Sequence, residues 1–356
     1  MTTGTGTGSG AGTGWGTGPD TDVLVVGGGP VGLAAAIEAR LAGLDVVLVE
    51  PRPGPVDKAC GEGLMPGSVR ALDRLGVHPE GHPLLGVRYL DPTRRVTHLF
   101  RGTAGRGVRR TALHGALAAR AAELGVHRHE ARVTDLEQTD GAVTAAGVRA
   151  RWLLGCDGLH STVRRLAGLE APARGPRRYG IRRHFRLAPW ADVVEVHWGP
   201  RAEAYVTPVG DGLVGVALLG PPRTDFATTL AGFPDLAARL AGAEPDGPVR
   251  GAGPLLQRTW ARTRGRVRLV GDASGYVDAL TGEGMRVGFA QAAAAVATLD
   301  DPPERYERAW AASTRDYRYL TSGLVTAATS PARRGIVPLA TRAPAVFGAV
   351  VERLAR

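Results

Sequence analysis

At 356 residues the chain is long enough to bury a large core, and for an α/β protein this length points to two interlocked domains, not a string of modules. The net charge of +10 marks no basic face, because Lys58 is the only lysine and the arginines are scattered, so nucleic acid is not expected as a partner. Two cysteines, Cys60 and Cys156, are too few for a disulfide framework and lack metal-ligand spacing, so no metal is expected and a reducing cytoplasm fits best.

Residues 1–20 are almost all Gly, Thr and Ser and read as a flexible tail. Residues 22–26 are β-branched and end in glycines, residues 31–42 are Ala-rich and helical in character, and residues 45–50 are strand-like again, which makes a βαβ unit. Glycine then dominates 59–67, and 68–75 looks helical. Residues 84–99 read as two extended segments about a Pro-containing turn. A helix over 110–124 keeps Leu113, Leu117 and Leu124 on one face. Strands are expected at 126–129, 132–138, 141–144 and 148–154, with Asp140-Gly141 as a hairpin turn.

From 179 to 219 the pattern changes to long extended runs broken by Pro and Gly, the signature of an antiparallel sheet inserted between pieces of a nucleotide domain. Strand and helix return at 267–299, and further helices follow at 304–329. No stretch approaches the roughly 20 apolar residues of a membrane span. Residues 331–356 are apolar enough to pack as a terminal helical segment or to touch a membrane surface.

Gly27-x-Gly29-x-x-Gly32 follows a strand and opens a helix, the context in which a glycine fingerprint binds a dinucleotide. The first glycine allows the tight turn, the second a close approach of backbone to pyrophosphate, and the third close helix packing. Pro30 and Val31 start the helix whose N-terminus supplies N–H donors. Glu50 ends the second strand, 18 residues after Gly32, placed to accept from ribose hydroxyls, which suits FAD or NAD and argues against NADP at this site. Gly271-Asp272, after a strand, leads to Gly282-Glu283-Gly284-Met285 and a long helix. Asp272 is placed to hold a ribityl hydroxyl, and the helix start brings partial positive charge where a reduced flavin becomes anionic, so FAD is the expected cofactor.

Four ordered motifs, residues 27–32, Arg110-x-x-Leu113, Gly155-Cys156-Asp157-Gly158 with Ser161 and Arg164, and Gly271-Asp272, resemble the para-hydroxybenzoate hydroxylase superfamily, the class A flavoprotein monooxygenases. The resemblance implies a Rossmann-type FAD-binding domain, with an inserted β-sheet substrate domain and C-terminal helices. On this reading residues 21–83, 105–175 and 262–330 form the FAD-binding domain, and 84–104 with 176–261 the substrate domain. Arg110 is then a cofactor contact, and Asp157 supports both FAD and a transient NADH or NADPH. Lys58-Ala59-Cys60-Gly61-Glu62-Gly63 and Leu280-Thr281-Gly282-Glu283-Gly284 are similar to the geranylgeranyl reductase-like branch. That likeness adds Arg52, Cys60, Gly61, Gly63, Val133, Gly282, Gly284 and Met285 to the expected FAD contacts. Cys60 is either an acid toward substrate or a small packing residue beside the flavin ring.

The scaffold serves two chemistries. A monooxygenase uses NAD(P)H and O₂, through a flavin C4a-hydroperoxide, to hydroxylate a phenolic or polyketide-derived aromatic. A prenyl reductase adds hydride and a proton to an isoprenoid double bond. Arg182, His184, His197, Trp198, Tyr205 and Thr207 give the inserted sheet a polar and aromatic character, with Arg182, His184 and Tyr205 as substrate contacts and His184 or His197 as a candidate base. That character favours hydroxylation. The halogenase signature W-x-W-x-I-P is absent, and a non-catalytic flavin-binding protein is a third alternative.

Overall fold

The computed structural model describes residues 20–55 and 57–356. The tail expected over 1–20 therefore lies, but for Asp20, outside the described residues. The described residues fold around two large sheets, with helices between and beside them and two small sheets of two and three strands. The first is a mixed eight-stranded sheet with Thr21–Val26 near its centre, parallel to Val46–Val49 on one side and to Val148–Gly155 on the other. Val267–Leu269 extends it in parallel beyond Val148–Gly155, and His127–His129 beyond Val46–Val49.

Near-continuous apolar sequence, such as Val46-Val47-Leu48-Val49, is what strands covered on both faces require. Against one face pack the helices Pro30–Leu41, Arg110–Glu123 and Gly284–Ala297, and their small side chains Ala34, Ala35, Ala36 and Ala292 are fully buried with Ile37 and Phe289. Alanine lets helix backbones approach closely, which draws the two Gly-rich helix starts to the same edge of the sheet.

The second sheet has seven strands in the order Glu244–Ala252, Tyr179–Arg186, Leu213–Gly220, Glu203–Gly210, Val193–Trp198, Gly86–Leu90, Arg95–Leu99. It is not wholly antiparallel as the sequence suggests: Gly86–Leu90 runs parallel to Val193–Trp198. Hairpins force antiparallel pairing only between strands joined by a short turn, and about a hundred residues of nucleotide domain intervene here. One face of this sheet is closed by Phe226, Phe233 and Leu236. The other faces the nucleotide domain.

Two further expectations change. The strand expected at 132–138 shrinks to Glu137–Gln138, which pairs with Val143–Ala145 across the Asp140-Gly141 turn. Val133 turns inward there without joining a ladder. The C-terminal segment breaks into Pro331–Gly335, Ile336–Arg342 and Pro344–Ala355. Phe347 and Val351 pack on Val96, while Leu339, Val346 and Val350 face solvent. Among the described residues no single helix is long and apolar enough to cross a membrane.

Candidate functional site

A cavity of about 700 Å³ runs from the 27–32 turn, past the Gly271–Ser274 turn, to the inner face of the second sheet. At its first end Gly27 has φ +106°, and a Cβ there would stand 2.6 Å from the Cys156 carbonyl. A Cβ on Gly32 would stand 1.8 Å from the Gly27 carbonyl, so Gly32 serves the helix packing and does not line the cavity. Gly29 faces open space, its nearest neighbour an Arg110 nitrogen 3.9 Å from where a Cβ would be. The cradle is thus backbone, and Gly27, Gly29, Pro30 and Val31 all line it.

Glu50 is buried at the end of its strand. The Gly28 N–H donates to Oε2 at 2.9 Å, and Arg52 donates to Oε1 at 2.6 Å and Oε2 at 3.0 Å. Burial opposes the charge, but these donors outweigh it and hold the carboxyl below its ordinary value. His114, one turn after Arg110, donates from Nε2 to the Gly28 carbonyl at 3.0 Å, and burial lowers its pKa. The sequence reading missed His114, although its place four residues after Arg110 puts both on one helix face.

Midway, Asp272 follows Gly271, whose N–H donates to Gln291 at 2.6 Å. The Asp272 carboxylate has no side-chain partner among the described residues, and burial raises its pKa against the pull of Arg110 and Lys58. Arg110 and Lys58 line the same stretch and meet no carboxylate within ion-pair distance among the described residues. Asp157 also lines the cavity, yet its carboxylate is occupied: it accepts from Ser161 at 2.5 Å and from the Thr162 and Val163 N–H groups, capping Thr162–Leu166. Cys156 is buried, and burial pushes its thiol pKa up.

Further along, Gly282 (φ +71°), Gly284 and Met285 form the wall at the start of the Gly284–Ala297 helix. The Tyr205 hydroxyl donates to the Leu280 carbonyl at 2.8 Å, tying this loop to the sheet. Cys60, Gly61 and Gly63 line the opposite side. Between them sits Glu62, in left-handed backbone at φ +59° and almost wholly buried. Its Oε1 accepts from the Arg110 N–H at 2.8 Å, its Oε2 lies 2.6 Å from His184 Nε2, and Thr207 donates to the Gly61 carbonyl at 2.8 Å.

His184 and Arg182 share the inward face with Tyr205 and Thr207 by strand register, but the 57–63 loop covers them. Arg182 donates to Asp57 at 2.6 Å and to His184 Nδ1 at 3.0 Å. Arginine can only donate, so Nδ1 accepts and the proton sits on Nε2, bound to Glu62. Both ring nitrogens are spent. His184 is therefore a support for the loop and not a free base, and neither it nor Arg182 lines the cavity. His197 lies on the outer face with Glu195 and Trp190, since it alternates with the inward Val194, Val196 and Trp198. Val133 packs among Leu24, Val26 and Val49, away from the cavity lining.

These residues fit a flavin dinucleotide. Backbone donors and the two cations suit a diphosphate, Asp272 the hydroxyls of a ribityl chain, and the 282–285 helix start an electron-rich ring, while Glu50 stands at the ribose end with its oxygens already accepting from Gly28 and Arg52.

The FAD binding domain family matches residues 20–199. Over 302 residues the chain is 30% identical to dialkyldecalin synthase of Streptomyces rugosporus, covering 76% of this chain and 63% of that protein. It is 30% identical over 236 residues to 12-dehydrotetracycline 5-monooxygenase/anhydrotetracycline 6-monooxygenase of Streptomyces rimosus, covering 60% and 42%. With digeranylgeranylglycerophospholipid reductase 1 of Methanothermobacter thermautotrophicus it shares 28% over 328 residues, covering 81% and 82%. The chain thus spans less than two thirds of the length of the first two. A flavoprotein/dehydrogenase from Cytophaga hutchinsonii has the same fold, with a TM-score of 0.82, 19% identity, and coverage of 94% and 92%.

Proposed function

The chain belongs to the FAD-binding domain family of flavoproteins, and from that premise we propose that it is an NAD(P)H-using monooxygenase that hydroxylates a phenolic or polyketide-derived aromatic in the cytoplasm. The observation that carries the reading is the set of free phenols beside the flavin seat. Tyr179 and Tyr276 line the cavity, and their hydroxyls have no hydrogen-bond partner among the described residues. Val194, Leu219 and Leu255 supply the apolar wall around them. A flat ring carrying oxygen substituents satisfies both kinds of surface at once. The Streptomyces rimosus relative, a monooxygenase by name, supports the same reading.

When bound, FAD takes reducing equivalents from NADH or NADPH and activates O₂ for transfer to the ring. The protein's part is positional. Glu50, Arg110, Lys58 and Asp272 would hold the cofactor's polar length, and the Glu62-supported loop fixes Cys60 to Gly63 along one side. Tyr276, which burial keeps protonated well above its ordinary pKa, donates to a substrate oxygen and orients the ring. Leu219, Leu255 and Met65 exclude water from the reacting face.

A panel of phenols incubated with NAD(P)H and O₂ is expected to give a product one oxygen heavier, the added atom coming from labelled O₂. Cys60 favours a second reading, reduction of an isoprenoid double bond: it is a half-buried thiol on the cavity wall, and the reductase relative is matched over most of its length. In that case an unsaturated prenyl substrate gains two hydrogens without O₂. A protein that oxidises no NAD(P)H with any substrate is a flavin carrier and neither enzyme.

A further inference from the structure

The Gly271–Ser274 turn has a second side. Behind it lies another cavity, of about 270 Å³, floored by this turn and the start of the Gly284–Ala297 helix, and walled by residues 256–262 and the Pro303–Ala328 helix. Three guanidinium groups line it, those of Arg258, Arg262 and Arg318. Arg262 and Arg318 both stack on the Trp310 ring, 3.8 and 5.2 Å from its centroid. Only Arg262 has a carboxylate, Glu307 at 3.3 Å. Arg258 and Arg318 meet none within ion-pair distance among the described residues.

The three like charges repel one another, and of the carboxylates at this cavity Glu307 pairs with Arg262 alone and Asp272, in the floor, with none of them. Burial, then Arg262 and Arg258, draw the Arg318 pKa below its ordinary value. An anion between them relieves the repulsion, and the guanidinium fork is matched to phosphate. Beside these arginines Trp260 lines the cavity with 70% of its surface exposed, second only to Tyr319 among the large hydrophobic residues described. An exposed indole beside unpaired arginines is the recognition chemistry of a phosphorylated nucleotide: the base stacks and the phosphate is forked.

We propose that this cavity docks the phosphate-bearing adenosine half of the reductant, a nicotinamide adenine dinucleotide phosphate, with adenine against Trp260 and the 2′-phosphate between Arg258 and Arg318. The assignment rests on the reading that a nicotinamide nucleotide reduces the flavin. It selects NADPH over NADH. The two cavities share Gly271, Asp272, Tyr276 and Gly284 in their linings, so the proposed dock adjoins the flavin seat. Its adenosine does not compete with that of FAD at Glu50.

The test titrates the FAD-loaded full chain with 2′,5′-ADP, 5′-ADP and inorganic phosphate by calorimetry, in the native protein, in Trp260→Ala, and in an Arg258→Ala/Arg318→Ala double variant. Arg258, Trp260 and Arg318 are surface residues, and retained flavin absorbance checks that each variant is folded. The expected result is that 2′,5′-ADP binds at least tenfold tighter than 5′-ADP or phosphate, that both variants weaken it at least tenfold, and that the same factor appears in KM for NADPH. Unchanged 2′,5′-ADP affinity in the variants, equal binding of inorganic phosphate, or no binding to the native protein overturns the site. Flavin reduction by NADPH with a KM that the variants do not move removes the site and leaves the functional reading. Binding of 2′,5′-ADP that depends on Arg258 and Arg318, without any reduction by NADPH, does the reverse.

Discussion

The nucleotide-side wall of the main cavity is held by glycine and backbone, whereas the sheet-side wall is held by buried charge. On the first side Gly27 and Gly32 let backbone pack where a Cβ would collide with the Cys156 and Gly27 carbonyls, while Gly29 leaves the cradle open. On the second, Glu62, His184, Arg182 and Asp57 join a loop to a strand more than a hundred residues away. The difference teaches that the glycine end is specified sterically. The sheet end is specified electrostatically, by side chains that only the completed fold brings together.

The comparison is broken most directly at Gly32. Gly32→Val places carbon where the Gly27 carbonyl stands, and is expected to abolish flavin retention, a loss above 100-fold or roughly 3 kcal/mol and more. The ratio of flavin to protein absorbance reads it. Next, Glu62→Ala strips the buried partner from His184 and Arg182, at a cost of about 3–5 kcal/mol by urea unfolding. If the loss is below 1 kcal/mol, the sheet-side wall is not held by charge.

Glu283 sharpens the contrast with a pH dependence. It is buried, with one carboxylate oxygen unpartnered, and burial pushes its pKa up to about 7 against the pull of Arg286. A carboxyl whose folded pKa is raised favours the folded state below the unfolded pKa and loses that contribution as pH rises. Stability is therefore expected to fall by about 3 kcal/mol between pH 4.5 and 7, and Glu283→Gln to remove that slope in urea titrations across the window. Asp272→Asn keeps the shape and removes the charge-assisted acceptor, so FAD dissociation is expected to rise about tenfold, near 1.4 kcal/mol, by fluorescence titration. Tyr276→Phe is the smallest change: KM for an active phenol rises about three- to tenfold, roughly 0.5–1.5 kcal/mol, while FAD affinity stays put.

How much of this was legible depended on range. The fingerprint, Glu50, Asp272 and the Gly282 loop announce themselves because turn, strand end and helix start are adjacent in sequence, and the cavity lining collects them. The Glu62 network left only a faint signal, a carboxylate wedged between glycines in Cys60-Gly61-Glu62-Gly63. Its partners follow from sheet register, which a single sequence does not fix. His197 was more readable than its first assignment: it shares parity with Glu195 and opposes Val194, Val196 and Trp198, so strand alternation alone puts it outward. Val133 and the parallel pairing of Gly86–Leu90 were decided by packing between distant segments.

Lys58 has a practical consequence. It is the only lysine in the chain and it stands on the wall of the flavin groove beside Gly158. Amine-directed coupling, whether to a resin, a sensor chip or a dye, has just this one side-chain target besides the terminal amine. Attachment by that chemistry would tether the molecule through its own cofactor seat, and protection of Lys58 from a small acylating reagent becomes a mass-spectrometric gauge of how much of a preparation carries its flavin.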